Sequence, residues 1–117
     1  MNFKFENLRI WQIAMDYGED LFNLSKNFPK DEIFNLTSQL RRASDSIALN
    51  ISEGSILQSA PEYKRFISYS IRSLAEVVTC LHKAKRRNYI DENQFQTQYN
   101  QAYNLMNMMV SFRSKVR

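Results

Sequence analysis

Between Ser55 and Ile90 the sequence places seven basic residues, Lys64, Arg65, Arg72, Lys83, Lys85, Arg86 and Arg87, against Glu62 and Glu76, a local net charge of +5. The whole chain carries only +4, so this stretch holds more than the entire excess. Clustered ammonium and guanidinium groups attract a polyanion, and such binding is independent of base sequence and weakened by salt. The same groups also suit a solvated helix face, with the Lys83–Arg87 run offsetting the negative end of a helix dipole. Both readings stand at this level. Arg41 and Arg42 lie outside the stretch. Their guanidinium groups fit phosphate, and pairing with Asp45, or with an acid on a neighbouring helix or subunit, is the structural alternative.

Catalytic chemistry lacks its parts. His82 is the single histidine, which rules out the paired Glu-x-x-His ligands of a di-iron bundle. Cys80 and His82 are a poor start for a zinc site, which needs three or four ligands. Gly18 and Gly54 are the only glycines, so neither a P-loop nor a dinucleotide fingerprint exists. His82 sits among cations with no evident triad partner. Cys80 reads as a small buried hydrophobe. Glu53 has no second group beside it for acid catalysis, and its expected role is a bond to the start of the third helix or across a subunit boundary. No catalytic residue, metal site or cofactor site is therefore expected, and the chain is not expected to be an enzyme.

The elements that position these groups are helices. Two glycines and two prolines are too few breakers for a many-turned β fold, and 44% hydrophobic residues exclude disorder. The 117 residues suffice for one domain around one core. A first helix is expected at about 8–27, where Trp11, Ala14, Gly18, Leu21 and Ser25 recur three and four apart, flanked by Ile10, Tyr17 and Leu24. Phe28-Pro29 ends it. A second, at about 31–53, carries Ile33, Leu36, Leu40, Ala43, Ile47, Asn50 and Gly54 on its seam. Asn50 there is expected to be a buried amide that fixes register, and Gly54 to take the positive φ that stops the helix.

After a loop at Ser55–Ser59, Ser59 and Glu62 have capping-box spacing, with Pro61 in the first turn. The third helix, about 60–88, turns Tyr63, Phe66, Ile67, Ser70, Leu74, Val77, Leu81 and Ala84 inward. Asp91 and Gln94 cap a fourth, about 92–115, with Phe95, Tyr99, Ala102, Met106, Met109 and Arg113 on its seam. Short connections make the fold all-α, an antiparallel up-and-down four-helix bundle. The aromatics at helical spacing are expected in core and interface. Tyr69 and Tyr89, off the seams, are the candidates for a surface role.

A single cysteine excludes an intrachain disulfide and suits a reducing compartment. Neither a leader at Met1–Glu6 nor a run of about 18 apolar residues is visible. A soluble, cytoplasmic protein with no membrane partner is expected. Apolar residues beside the first seam, Ile10, Ile13, Tyr17 and Leu24, need a second covering surface, which points to self-assembly.

The run Leu36-Thr37-Ser38-Gln39-Leu40-Arg41-Arg42-Ala43, followed by Ser46-Ile47 and Asn50-Ile51-Ser52-Glu53-Gly54, closely resembles the signature of the bacterial "four helix bundle protein" family. These proteins are encoded within intervening sequences of large-subunit ribosomal RNA genes, and relatives include the accessory variability protein of diversity-generating retroelements. Leu8–Ala14, Phe28–Lys30 and Ser73–Glu76 agree too, so the resemblance covers roughly residues 5 to 90. It implies motif roles for Gln39, Arg41, Arg42, Asn50, Glu53, Gly54 and Glu76, and a homo-oligomer, a pentameric barrel of bundles. It also implies RNA or DNA as a partner. The alternative is an adaptor whose partner is a protein such as a reverse transcriptase. Most of the family has no assigned activity. Arg72 departs from the pattern, which usually has glycine there, and bears on subunit geometry.

Overall fold

Apolar side chains recurring three and four residues apart bring four helices together. In the computed structural model these are α1 (Arg9–Ser25), α2 (Leu36–Ser55), α3 (Ala60–Arg86) and α4 (Glu92–Lys115), with 3-10 turns at Lys4–Asn7 and Lys30–Glu32. The structure describes every residue except Leu57 and Gln58, so the expected Ser55–Ser59 loop lies partly outside the described residues. Sequential helices pack as neighbours, α2 on α3 most extensively and α1 on α4 least, as an up-and-down bundle requires. The long axis measures 44 Å, and the 27 residues of α3 span about 40 Å of it. Among the described residues there is no strand, and no helix is long and apolar enough to cross a membrane.

The α3 seam holds from Ile67 on, with Ile67, Ser70, Leu74, Val77, Leu81 and Ala84 buried, while Tyr63 and Phe66, expected inside, are half-buried. On α1 the inward row is Ile10, Ala14, Tyr17, Leu21 and Leu24, while Trp11 and Gly18 sit half-exposed on its flank. Trp11 is drawn there by Phe5 of the preceding turn, whose ring lies edge-on at 5.3 Å. Ile10, Tyr17 and Leu24 are covered by the bundle itself and do not call for the second surface expected of them. On α4, Leu105 joins Phe95, Ala102 and Met109 inside, and Tyr99 and Met106 are half-buried.

Three further differences have local causes. First, α2 starts at Leu36, not near Asp31, and leaves Ile33 45% exposed. Glu32 folds back from the 3-10 turn, and its Oε1 accepts from the Leu36 N–H (3.3 Å) and Asn35 Nδ2 (2.9 Å). A helix start needs such an acceptor, so the turn decides where α2 begins. Second, Gly54 stays helical, and no glycine has positive φ. The left-handed residue is Asn88 (φ 63°). Around it the Tyr89 N–H reaches the Ala84 carbonyl (2.9 Å) and the Asn88 N–H reaches Lys85 (3.0 Å), the bond pair of a Schellman stop. Third, Asn50 is half-buried and its Nδ2 donates to Ser46 O of its own helix (2.8 Å), so it sets no register between helices. That tie comes from buried Ser70, whose Oγ donates to Ile47 O at 2.7 Å.

Both helix caps form. Ser59 Oγ accepts from the Glu62 N–H (3.2 Å), although the Glu62 carboxylate turns to Arg65 instead of closing the box. Asp91 and Gln94 cap each other reciprocally (2.7 and 2.9 Å).

Gly18 sits mid-helix with helical φ. A Cβ there would meet Ser44 Oγ at 3.4 Å, an ordinary contact. Gly18→Ala is therefore expected to raise unfolding stability by about 0.5–1 kcal/mol through helix propensity, read as a higher urea midpoint.

Candidate nucleic-acid interface

Because the inner row of α3 faces the core, heptad steps carry Arg65, Arg72 and Arg86 to the opposite side. Lys64 and Lys83 join them, and all five are exposed. From Lys64 to Arg86 the face runs about 33 Å at roughly 1.5 Å per residue.

The structure then divides the seven sequence candidates. Arg65 is paired with Glu62 (2.6 Å), Lys85 with Glu92 (2.7 Å) and Arg87 with Glu32 (2.9 Å). Lys85 turns toward α4, its Nζ 4.6 Å from the Phe95 ring centre. Arg87 follows the last residue of α3 and reaches across to the α1–α2 connection. Lys85 and Arg87 thus leave the cationic face, and Arg65 is locally neutralised. Lys64, Arg72, Lys83 and Arg86 have no ion pair among the described residues. Arg72 lies over the Tyr69 ring at 5.5 Å, a contact that holds the guanidinium without cancelling its charge.

The motif residues separate as well. Gln39, Arg42 and Glu76 meet Lys83 in a groove of about 720 Å³ between α2 and α3. Arg42 adds a cation to the groove that Lys83 lines, which sequence proximity could not reveal, and it does not pair with Asp45. Arg41 points the other way: its Nε donates to Ser25 Oγ (2.8 Å) and its guanidinium lies 4.5 Å from the Phe22 ring centre. Neither acid pairing nor an open phosphate site describes it. Glu53 is exposed, with no hydrogen bond or ion pair among the described residues, so it does not hold the start of α3. Tyr69 and Tyr89, the surface candidates, are both half-buried, and of the aromatics expected in core or interface Tyr103 lies outside the core of the single chain. Tyr103 is 61% exposed, whereas Tyr89 is a half-buried strut.

That strut belongs to a cluster the sequence did not announce. Glu32, 7% exposed, accepts from the Tyr89 hydroxyl (2.7 Å) and Arg87 Nη1 (2.9 Å), besides Asn35 and Leu36. The Tyr89 hydrogen bond, with smaller help from Leu36, Asn35 and the Arg87 charge, holds its carboxyl below the usual range despite burial. The same bond pushes the Tyr89 hydroxyl up. The cluster clamps the α1–α2 connection to the α3–α4 connection. A carboxylate with a depressed pKa stabilises the fold above its ordinary titration range, and that contribution is lost as pH falls through the folded value. Glu32→Gln is expected to lower the melting temperature by roughly 5 °C or more at neutral pH, and the gap to wild type should narrow toward about pH 3. Melting curves across that range check this; a gap that stays constant would contradict it.

Other titratable groups serve structure. Tyr17 is buried and donates to the Gln98 carbonyl at 2.9 Å. Burial, aided by Asp20, pushes its hydroxyl pKa up, so it is a neutral tie between α1 and α4. Burial also pushes the Cys80 thiol up, with Lys83 opposing and Glu76 adding, which leaves it protonated and unreactive. His82 is exposed and edge-on to Phe95 at 4.9 Å. Among the described residues no three His, Cys, Asp or Glu side chains gather to hold a metal ion.

Residues 6–111 match the family described as 23S rRNA-intervening sequence protein. A crystal structure of a protein of unknown function from the S23 ribosomal protein family, from Bacteroides thetaiotaomicron, shares the fold. Its TM-score is 0.82 at 20% identity, over 89% of this chain and 97% of that one. No curated protein matches the sequence. Neither matching description names a reaction.

Proposed function

The chain belongs to the 23S rRNA-intervening sequence protein family, and on that premise we propose that it is a non-enzymatic, cytoplasmic homo-oligomer, a pentamer, that holds RNA or DNA electrostatically through the outer face of α3. One observation carries the reading. Lys64, Arg72, Lys83 and Arg86 share that exposed face without an ion pair among the described residues, and Arg42 lines the same groove as Lys83 and Glu76. Repeating the face around a ring multiplies its avidity for one long polymer. The non-enzymatic part draws support from the groups that chemistry would need: the Cys80 thiol is buried, and Glu32 is fully engaged by its own fold.

Four phosphate contacts per chain set the scale of the test. Raising salt from about 50 to 200 mM should weaken binding about 50- to 150-fold, the lower figure for single strands. Fluorescence anisotropy with labelled RNA and DNA reads it. A homogeneous protein that retains neither polymer at low ionic strength would remove the proposal. A protein partner that co-purifies through nuclease and high salt would then select the adaptor reading, with a reverse transcriptase as the type of partner.

A further inference from the structure

Among the apolar surfaces left exposed, two lie on different sides of the bundle and differ in shape. The first is concave. Between α1 and α2 runs a groove of about 450 Å³ whose walls are Trp11, Met15, Phe22 and Leu49. Its floor is built from small residues, Gly18, Ser44 and Ala48. Ser44 is buried, yet its Oγ has no hydrogen-bond partner, which a buried hydroxyl normally finds. The charges on the rim are two exposed acids, Glu19 and Asp45.

The second surface is convex. On the outer flank of α4, Tyr103 and Val110 are 61% and 41% exposed, two helical turns apart, with half-buried Met106 between them. This ridge is flanked by uncharged Asn100 and Asn107. From Asn93 to the end of the sequence there is no acidic residue, and the charges are Arg113, Lys115 and Arg117. In the cyclic packing order α1-α2-α3-α4 the ridge cannot reach the groove of its own chain, because α1 and α3 stand between α4 and α2.

We propose that the α4 ridge of one copy seats in the α1–α2 groove of the next. An apolar ridge with basic neighbours meets an apolar groove with an acidic rim, and both halves are present on every chain. The contact joins two different patches, so it is head-to-tail and propagates around a ring until it closes. Closure over the groove also excludes water from the small-residue floor. This rests on the homo-oligomer reading above and assigns its surfaces.

Leu49→Glu spoils the groove and Val110→Glu spoils the ridge. Both positions are exposed in the single chain, at 56% and 41%, so each variant should keep the bundle's helical circular dichroism. Light scattering coupled to size exclusion should give an oligomer for wild type and monomers for each variant alone. An equimolar mixture of the two should give a two-chain species, since one intact ridge then meets one intact groove. Variants that keep the wild-type mass, or a mixture that stays monomeric, would overturn this interface while leaving the oligomer reading in place. A monomeric wild type at micromolar concentration would remove both.

Discussion

Converting Lys64, Arg72, Lys83 and Arg86 to glutamate is expected to abolish retention of RNA and DNA at about 50 mM salt, while helical content and molar mass stay unchanged. The four side chains are exposed and have no carboxylate partner among the described residues, so reversing them breaks no ion pair of the fold. Exposed substitutions of this kind usually cost under about 0.5 kcal/mol each. The effect on a polyanion is far larger, because four attractions become four repulsions in each chain. The paired cations make a contrast. Arg65→Ala, whose charge Glu62 already offsets, should weaken binding less than Lys83→Ala. Arg87→Glu should act through stability, by setting two carboxylates against each other at Glu32. Anisotropy and melting curves on the same preparations separate the two kinds of loss.

Gly54→Ala is expected to destabilise the bundle by up to about 2 kcal/mol, although alanine is the better helix former. A Cβ at this position would stand 2.7 Å from the Cβ of Phe66, 3.2 Å from Tyr63 Cδ1 and 3.4 Å from the Tyr63 carbonyl oxygen. The first of these is anchored directly to the backbone of α3 and cannot swing aside. The two helices must therefore part at their closest approach, along the most extensive interface in the molecule. Overpacking of about 1–3 kcal/mol outweighs the propensity gain of about 1 kcal/mol. Alanine at Gly18 and at Gly54 should thus move the urea midpoint in opposite directions. If both variants moved it upward, the tight crossing would be wrong.

These contrasts show which features a sequence makes visible. The phase of α3 was legible because apolar residues recur along one side from Ile67 to Ala84, broken only by small serines, and its cations occupy the other side. The phase of α1 was not, because Trp11 is large and apolar yet belongs to a flank that packs on Phe5. A glycine near a helix end suggests a left-handed stop, and Gly54 satisfied that rule in sequence alone. The crossing that requires its smallness exists only once Phe66 arrives, so α2 runs through Gly54 and ends at Ser55 with Ile56 still right-handed, and the left-handed stop belongs to α3, at Asn88. The α4 seam was blurred because Tyr103 and Val110 place apolar surface on a second flank.

For the candidate site, the count of cations was readable but their availability was not. Arg87 is neutralised by a residue 55 positions away, and Lys85 by the first residue of the next helix. Arg42 joins the groove of Lys83 only because α2 and α3 run alongside one another. Ion pairing across a fold is tertiary information. Periodicity carries none of it.

In the proposed complex the outer face of α3 touches the polymer. Ultraviolet cross-linking of bound RNA, followed by mass spectrometry of the protein's peptides, tests it most directly. Adducts should concentrate on peptides from the outer face of α3, around Tyr69, Arg72 and Lys83, with the Arg42 peptide next. Adducts confined to α1, or to the outer flank of α4, would contradict it.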